Sequence, residues 1–376
     1  MNKAEAVLFE LIKKSLFNIP PTIPYDVDWQ DVLTEAKAQT VVALVADAVP
    51  KEYSAEWQIL SSQSTAHYMR ALYEQTNLCK LLDINGIPFV IIKGSAAAMY
   101  YPKPQLRTMG DIDFLVPQTN FDKARKLLES NGYVFCGDYG DDRDYTYQKG
   151  NVIFELHHRY SDNGFDIEDV ITEGVRNAQT HEIGGHSFPT LPTSINGLVL
   201  LDHIRHHIYG GLGIRQIIDF MMFIAAQEQL DSFLPLVEKA GLYTFLKVLT
   251  KMCIKYFGLP DRFNFCKDAD NDLAEQLLNT VLSGGNFGRK NPYQYKPMES
   301  LALSMREKGV FSFLQAAGLK NWEAAEKHTF LRPFAFIYQI FRLIKRGIRA
   351  LFHGENLKKD FTAGNEKKDF YESLGI

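Results

Sequence analysis

The sequence predicts an α+β fold in which a small mixed-sheet domain is set between an N-terminal helical segment and a C-terminal helical domain. Three observations predict it: apolar residues at helical spacing before residue 82, short β-branched runs between residues 87 and 157, and helical periodicity again beyond Pro192. At 376 residues the chain is long enough for two or three domains, each with its own core. The expected boundaries are residues 1–82 for the helical segment, 83–190 for the sheet domain, 191–353 for the helical domain and 354–376 for a charged mobile tail.

The elements follow in order. Val7, Leu8, Leu11 and Ile12, then Val41, Val42, Leu44 and Val45, repeat at helical spacing, and the proline-rich turn Ile19–Pro24 separates the two groups. Asn85–Gly86 opens a turn into Ile87–Ile92, a short apolar run that predicts a buried strand. Gly94–Ser95 ahead of three alanines predicts a turn feeding a helix, and Ile112–Val116 reads as the next strand. Phe121–Ser130 reads as a helix and Tyr133–Phe135 as a strand. Strands at Tyr145–Gln148 and Val152–His157 are joined by the hairpin residues Lys149, Gly150 and Asn151. Helices are then expected at Leu198–Tyr209, Ile214–Gln227, Phe233–Gly241 and Phe245–Phe257. Gly354–Lys368 is charged and poor in large apolar residues, the texture of a mobile tail.

Composition excludes several classes. The net charge of −4 gives no overall attraction to nucleic acid, so an RNA acceptor is allowed but not indicated. No apolar stretch approaches the roughly 20 residues of a transmembrane helix, and the N-terminus lacks the order of a signal peptide, which together predict a cytoplasmic protein. Cys79, Cys136, Cys253 and Cys266 form no Cys-x-x-Cys pair and read as reduced thiols.

The chemistry concentrates in the predicted sheet. Asp111 and Asp113 stand two apart in Asp-Ile-Asp-Phe-Leu-Val, so both carboxylates face one side of a strand, where they suit a hard cation; a solvated turn is the alternative. Lys93, Gly94 and Ser95 lie between a strand and a helix, where backbone N–H groups and a hydroxyl suit a phosphate. Glu155, inside an apolar strand, needs a cation or a donor and is the natural third ligand. His157 shares its face, as an acceptor-orienting group or as a hydrogen-bonded sheet histidine.

With Tyr101, Arg107 and the run from Met109 to Val116, these residues resemble the bacterial "uncharacterised nucleotidyltransferase" family of the polymerase-β-type superfamily. The resemblance extends more loosely through His203, Arg215, Asp219 and Gly284–Gly288. It implies a nucleotidyltransferase domain that moves a nucleoside monophosphate from a nucleoside triphosphate, ATP among the candidates, to a hydroxyl acceptor and releases pyrophosphate. It implies Mg2+ or Mn2+ on Asp111, Asp113 and Glu155, these being also the catalytic residues, and nucleotide contacts from Lys93, Gly94, Ser95 and Arg107. His157 and Arg215 then fall on the acceptor side. Lys93 or Arg107, the latter preferred, balances triphosphate charge. The fifteen residues from Gly–Ser turn to Asp111 exceed the spacing of the superfamily's smallest members, which suggests that the Tyr100–Met109 loop meets substrate. The alternative is a non-catalytic nucleotide-sensing or partner-binding module on the same fold.

Three other features carry alternative readings. His203, His206 and His207 share a predicted helix and could present imidazoles to zinc, given a carboxylate such as Asp202 or Asp219. Arg215 and Asp219, four apart, are expected most simply to form an intrahelical ion pair, the alternative being that they line the cleft against the sheet domain. Ile337, Ile340, Phe341, Ile344, Ile348 and Leu351 form an apolar stripe opposite Arg342, Lys345, Arg346 and Arg349, for an anionic membrane or RNA or, more simply, for packing on the helical domain.

Overall fold

The computed structural model describes residues 1–137, 144–160, 167–208, 211–286, 290, 310–322, 324–325, 328–352 and 367–376. The chain divides into two compact units, Met1–Asn291 and Pro292–Ile376.

The first unit opens with helices α1 (Lys3–Phe17), α2 (Trp29–Ala38), α3 (Val42–Val45) and the long α4 (Ser54–Ile84). Asn2 and Glu5 form a capping box on α1, and Asp28 caps α2 by accepting from the Gln30 and Asp31 amides. The predicted spacing in α1 is real burial: Val7, Leu8, Leu11 and Ile12 are all inside.

The sheet has seven strands: β1 (Val90–Ile92), β2 (Ile112–Leu115), β3 (Val134–Gly137), β4 (Asp144–Lys149), β5 (Val152–His157), β6 (Gln179–Ile183) and β7 (His186–Thr190). They lie in the order β3-β4-β5-β2-β1-β7-β6. The sheet is mixed, with β2 parallel to β5, β1 parallel to β7, and the remaining pairs antiparallel. Helices α5 (Gly94–Ala98), α6 (Phe121–Ser130) and α7 (Glu168–Arg176) are interspersed. The fold is α+β, as predicted.

Strand alternation divides the sheet into a core face and a working face. Ile112, Phe114, Phe154 and Leu156 join Tyr68, Leu72, Leu78 and Leu82 of α4 and Phe121, Ala124 and Leu128 of α6 in one core. Asp113, Glu155 and His157, which alternate with them along the strands, are thereby turned to the other face.

That second face is served by helices α8 (Thr193–Ile208) and α9 (Ile214–Ala226), followed by α10 (Leu234–Lys239), α11 (Tyr243–Met252) and α12 (Asn271–Gly284). Asn196 of α8 donates to the Ala96 carbonyl at 2.8 Å and lies 3.0 Å from the Tyr100 hydroxyl, which fixes α8 to the segment after β1. α8 and α9 meet where a Cβ on Gly197 would stand 2.1 Å from Phe223 Cζ, so this contact requires glycine.

The sequence reading ends the sheet at β5, and the structure extends it by β6 and β7. Most of β6 is exposed and polar, with Ile183 its buried residue, so it carries little of the apolar alternation that marks a strand. The legible signal was the turn: Gly184 and Gly185 both have positive φ, +57° and +82°, as a two-residue hairpin needs.

In the second unit, helices Val310–Asn321 and Ala335–Phe352 pack together. Gly318 approaches the Ala335 carbonyl so closely that a Cβ would lie 2.0 Å from its oxygen, and Trp322 stacks on Tyr338 with centroids 5.2 Å apart. Ile337, Phe341 and Ile344 of the apolar stripe are exposed. The expected tail falls largely outside the described residues; its end, residues 367–373, is helical, with Tyr371 and Leu374 buried.

Candidate active site

Parallel pairing of β2 with β5 places Asp113 directly beside Glu155, and the pairing of β1 with β2 places Asp113 beside Ile92, one residue before Lys93. Lys93 Nζ lies 2.7 Å from Asp113 Oδ1. His157 Nε2 lies 3.1 Å from the same oxygen and 3.7 Å from Glu155 Oε2, and its Nδ1 is 3.8 Å from Asp144 Oδ2. Asp113, Glu155 and His157 each offer a ligand atom within 4.8 Å of the others. Asp111 stands just before β2, partly exposed and outside that closest group.

The electrostatics are those of a crowded acidic site. Burial pushes the Glu155 carboxyl up to about 10, and the charges of Asp113 and Asp111 add to the effect. Burial also acts to raise Asp113, but the Lys93 ammonium and the His157 ring overcome it and hold that carboxyl well below the usual range. Burial would lower the Lys93 ammonium, yet Asp113, Glu155 and Asp111 keep it well above its ordinary value. A group of oxygens with one imidazole, short of positive charge, fits a divalent cation.

The turn after β1 is strained. Lys93 has φ +53° and ψ −135°, outside the ordinary left-handed well, and Gly94 follows at φ +28°. The contact between Lys93 and Asp113 helps hold this conformation. Ser95 is fully buried and its hydroxyl donates to Gln75 Oε1 of α4 at 2.9 Å, a partner that the sequence does not announce.

Arg107 is buried and bound through Nε and Nη2 to both oxygens of Asp219 on α9, at 2.8 and 2.7 Å, while the Tyr101 hydroxyl donates to Oδ1 at 2.7 Å. The expected Arg215–Asp219 pair is replaced by this one. A bidentate guanidinium held by the loop before β2 takes up both carboxylate oxygens, and Arg215 turns to the Thr108 carbonyl at 3.1 Å. The three histidines of α8 are likewise not arranged as a zinc site. His203 and His207 meet edge to face with ring centroids 4.3 Å apart, but Asp219 is occupied by Arg107 and Asp202 by Arg205 at 2.7 Å. Among the described residues, the three histidines form no metal-binding group with a carboxylate. His203 and His207 instead sense Lys93, Asp113 and Arg215, and burial first of all keeps both imidazoles neutral, His207 down to about 3.

The structure thus brings together Lys93, Gly94, Asp111, Asp113, Glu155 and His157, with Arg215 on the facing helix. Arg107 and Ser95 are nearby with their polar groups engaged inside the protein. Asp144, beside His157, and Gln75, behind Ser95, were not anticipated. Of the glycine-rich motif, Gly284, Gly285 and Asn286 are described; Asn286 packs against Gly213, and Phe287 and Gly288 lie outside the described residues.

Among the described residues no helix is long and apolar enough to cross a membrane. No curated protein matches the chain. Solved structures with similarity include the crystal structure of ANT(2'')-Ia in complex with adenylyl-2''-tobramycin, 12% identical over 44% of this chain and 93% of that one, with a TM-score of 0.32. The solution structure of ANT(2'')-Ia, an antibiotic-resistance factor, is 13% identical over 52% and 95% of the chains, with a TM-score of 0.33. A nucleotidyltransferase-like antigenic protein from Paracoccidioides brasiliensis is 17% identical over 45% and 88%, with a TM-score of 0.29. The profile of one family, described as uncharacterised nucleotidyltransferases, matches residues 25–258, more than half of the chain. The chain therefore belongs to the uncharacterised nucleotidyltransferase family.

Proposed function

We propose that this protein is a Mg2+-dependent nucleotidyltransferase, with Mn2+ as a substitute, that transfers a nucleoside monophosphate from a nucleoside triphosphate such as ATP to an acceptor hydroxyl. The observation that carries the reading is the cross-strand pair Asp113 and Glu155, with Asp111 at its mouth, on the sheet face turned away from the core.

Asp113 and Glu155, with Asp111, would hold the cation. When bound, it neutralises charge on the phosphate and acidifies the acceptor hydroxyl. His157 orients Asp113 through their 3.1 Å contact. Glu155 takes the hydroxyl proton as the acceptor oxygen attacks the α-phosphorus in line and the bond to pyrophosphate breaks. Lys93 and the positive-φ turn at Gly94 face the triphosphate, with the Ser95 amide rather than its hydroxyl as the available donor. We assign Arg107 a bracing role, locking α9 to the loop before β2 through Asp219. His157 stands on the acceptor side, and Arg215 faces the site from α9.

A second reading, a nucleotide-sensing or partner-binding module without turnover, is favoured by one observation: the Lys93 ammonium already rests on Asp113 at 2.7 Å. Calorimetric titration of nucleoside triphosphates with and without Mg2+ into wild type and an Asp111→Asn/Asp113→Asn variant tests the proposal. Mg2+-dependent binding lost in the variant is expected. Binding that is indifferent to Mg2+ and to the substitutions transfers the weight to the sensing module, and no binding of any nucleotide rejects the transferase.

A further inference from the structure

The helical wall opposite the carboxylates has a charge left over. Among the described residues, its acidic side chains Asp219 and Asp202 are neutralised within the protein, by Arg107 and by Arg205. Arg215, the second residue of α9, has no such partner. Its one hydrogen bond among the described residues is from Nη1 to the Thr108 carbonyl, and its buried Nε has none. A guanidinium has five N–H donors in a planar fork shaped for carboxylate or phosphate, so this arrangement leaves most of its capacity unused.

Three surroundings give that vacancy a sign. Burial first, and then the like charge of Arg107, depress the Arg215 guanidinium below its ordinary value against the opposing pull of Asp219 and Asp111. The imidazoles of His203 and His207 are neutral and compensate nothing. The start of the 13-residue α9 adds the positive end of a helix dipole at the same place. Its first amide is already taken, Ile214 N donating to Gln39 Oε1 at 3.0 Å, so the side chain is the principal donor there. Arg215 as a residue is half-buried, its Nε is buried without a hydrogen-bond partner, and the stronger of its acidic neighbours, Asp219, is already held by Arg107, so an incoming anion would complete the guanidinium.

We propose that Arg215 is the seat of a phosphoryl group brought by one of the two substrates, so that the helical wall of the cleft selects an anionic ligand. Among the described residues the acidic side chains of this wall, Asp202 and Asp219, are already paired, so the wall suits an anionic ligand better than the ammonium groups of an aminoglycoside-like polycation. The proposal rests on the transferase reading only for the carrier of the phosphoryl group, which is the donor's triphosphate or a phosphorylated acceptor.

The test is calorimetric titration of ATP, inorganic tripolyphosphate and inorganic phosphate, each with Mg2+, into the full chain as wild type, Arg215→Gln and Arg215→Lys, together with the melting temperature of each protein without ligand. Arg215→Gln is expected to weaken at least one anion by ~10–100-fold, the range of a lost charge-assisted contact, with part recovered in Arg215→Lys and no fall in unliganded melting temperature. Parallel loss of ATP and tripolyphosphate assigns the group to the donor. Unchanged ATP affinity with loss of inorganic phosphate binding to the ATP-loaded protein assigns it to the acceptor. Anions that fail to bind wild type, or bind Arg215→Gln equally well, overturn the proposal and leave Arg215 a brace for the Thr108 carbonyl. If wild type binds phosphate through Arg215 but no nucleotide, the transferase reading falls and the anion site stands.

Discussion

At the scale of single residues, the site is a competition for Asp113. Its buried carboxylate is contacted by Lys93 at 2.7 Å and by His157 at 3.1 Å, while Glu155 beside it is left short of a positive partner. Because His157 touches both carboxylates, replacing it with alanine is expected to loosen metal binding or activity by about 10–100-fold, the usual effect of losing a ligand's orienting partner. A metal titration of His157→Ala measures this, and wild-type affinity would remove His157 from the site. These residues were legible because their types are unusual in a strand. Asp-x-Asp and a lone glutamate in an apolar run call for an explanation that leucine does not. Ser95 and Arg107 show where sequence reading fails: a hydroxyl and a guanidinium suit phosphate chemically, but their partners Gln75 and Asp219 are 20 and 112 residues away, and no local pattern reveals them.

At the scale of elements, β2 and β5 do the positioning, and their alternation was readable because Ile112, Phe114, Phe154 and Leu156 mark the buried face. The β6–β7 hairpin was not, since an edge strand of Gln, Thr, His and Glu has too little apolar content to show a period. The helical wall depends on two contacts that join distant elements. The Arg107–Asp219 pair fixes α9 to the loop before β2, and removing one buried partner leaves the other uncompensated. Asp219→Ala is therefore expected to cost about 3–5 kcal/mol, read by urea unfolding, whereas a cost below 1 kcal/mol would mean that the pair is hydrated in solution. Gly197 is the second contact. With a Cβ 2.1 Å from the Phe223 ring, Gly197→Ala is expected to lose about 1–3 kcal/mol or more by overpacking, and an unchanged melting curve would contradict the α8–α9 contact.

At the scale of the whole molecule, the crowded carboxylates link folding, pH and metal. Glu155 has a folded pKa raised to about 10 from an ordinary value of 4.5, so between those limits the folded metal-free protein binds the extra proton and its stability falls as pH rises. Asp113 acts in the opposite sense. Its depressed folded value contributes stability that is present above the ordinary 3.8 and is lost as pH falls toward the folded value. The metal-free melting temperature is expected to decline from pH 5 toward pH 9, and Glu155→Gln should flatten that decline; equal slopes would place Glu155 outside the cluster. The central claim is that Asp113 and Glu155 form a divalent-cation site that also takes a nucleoside triphosphate. It is tested most directly by electron paramagnetic resonance of Mn2+ titrated into wild type and Asp113→Asn, with and without ATP. The account predicts bound Mn2+ in wild type, a changed spectrum when ATP is added, and neither in the variant; Mn2+ that binds both proteins alike, or whose spectrum ignores ATP, would contradict it.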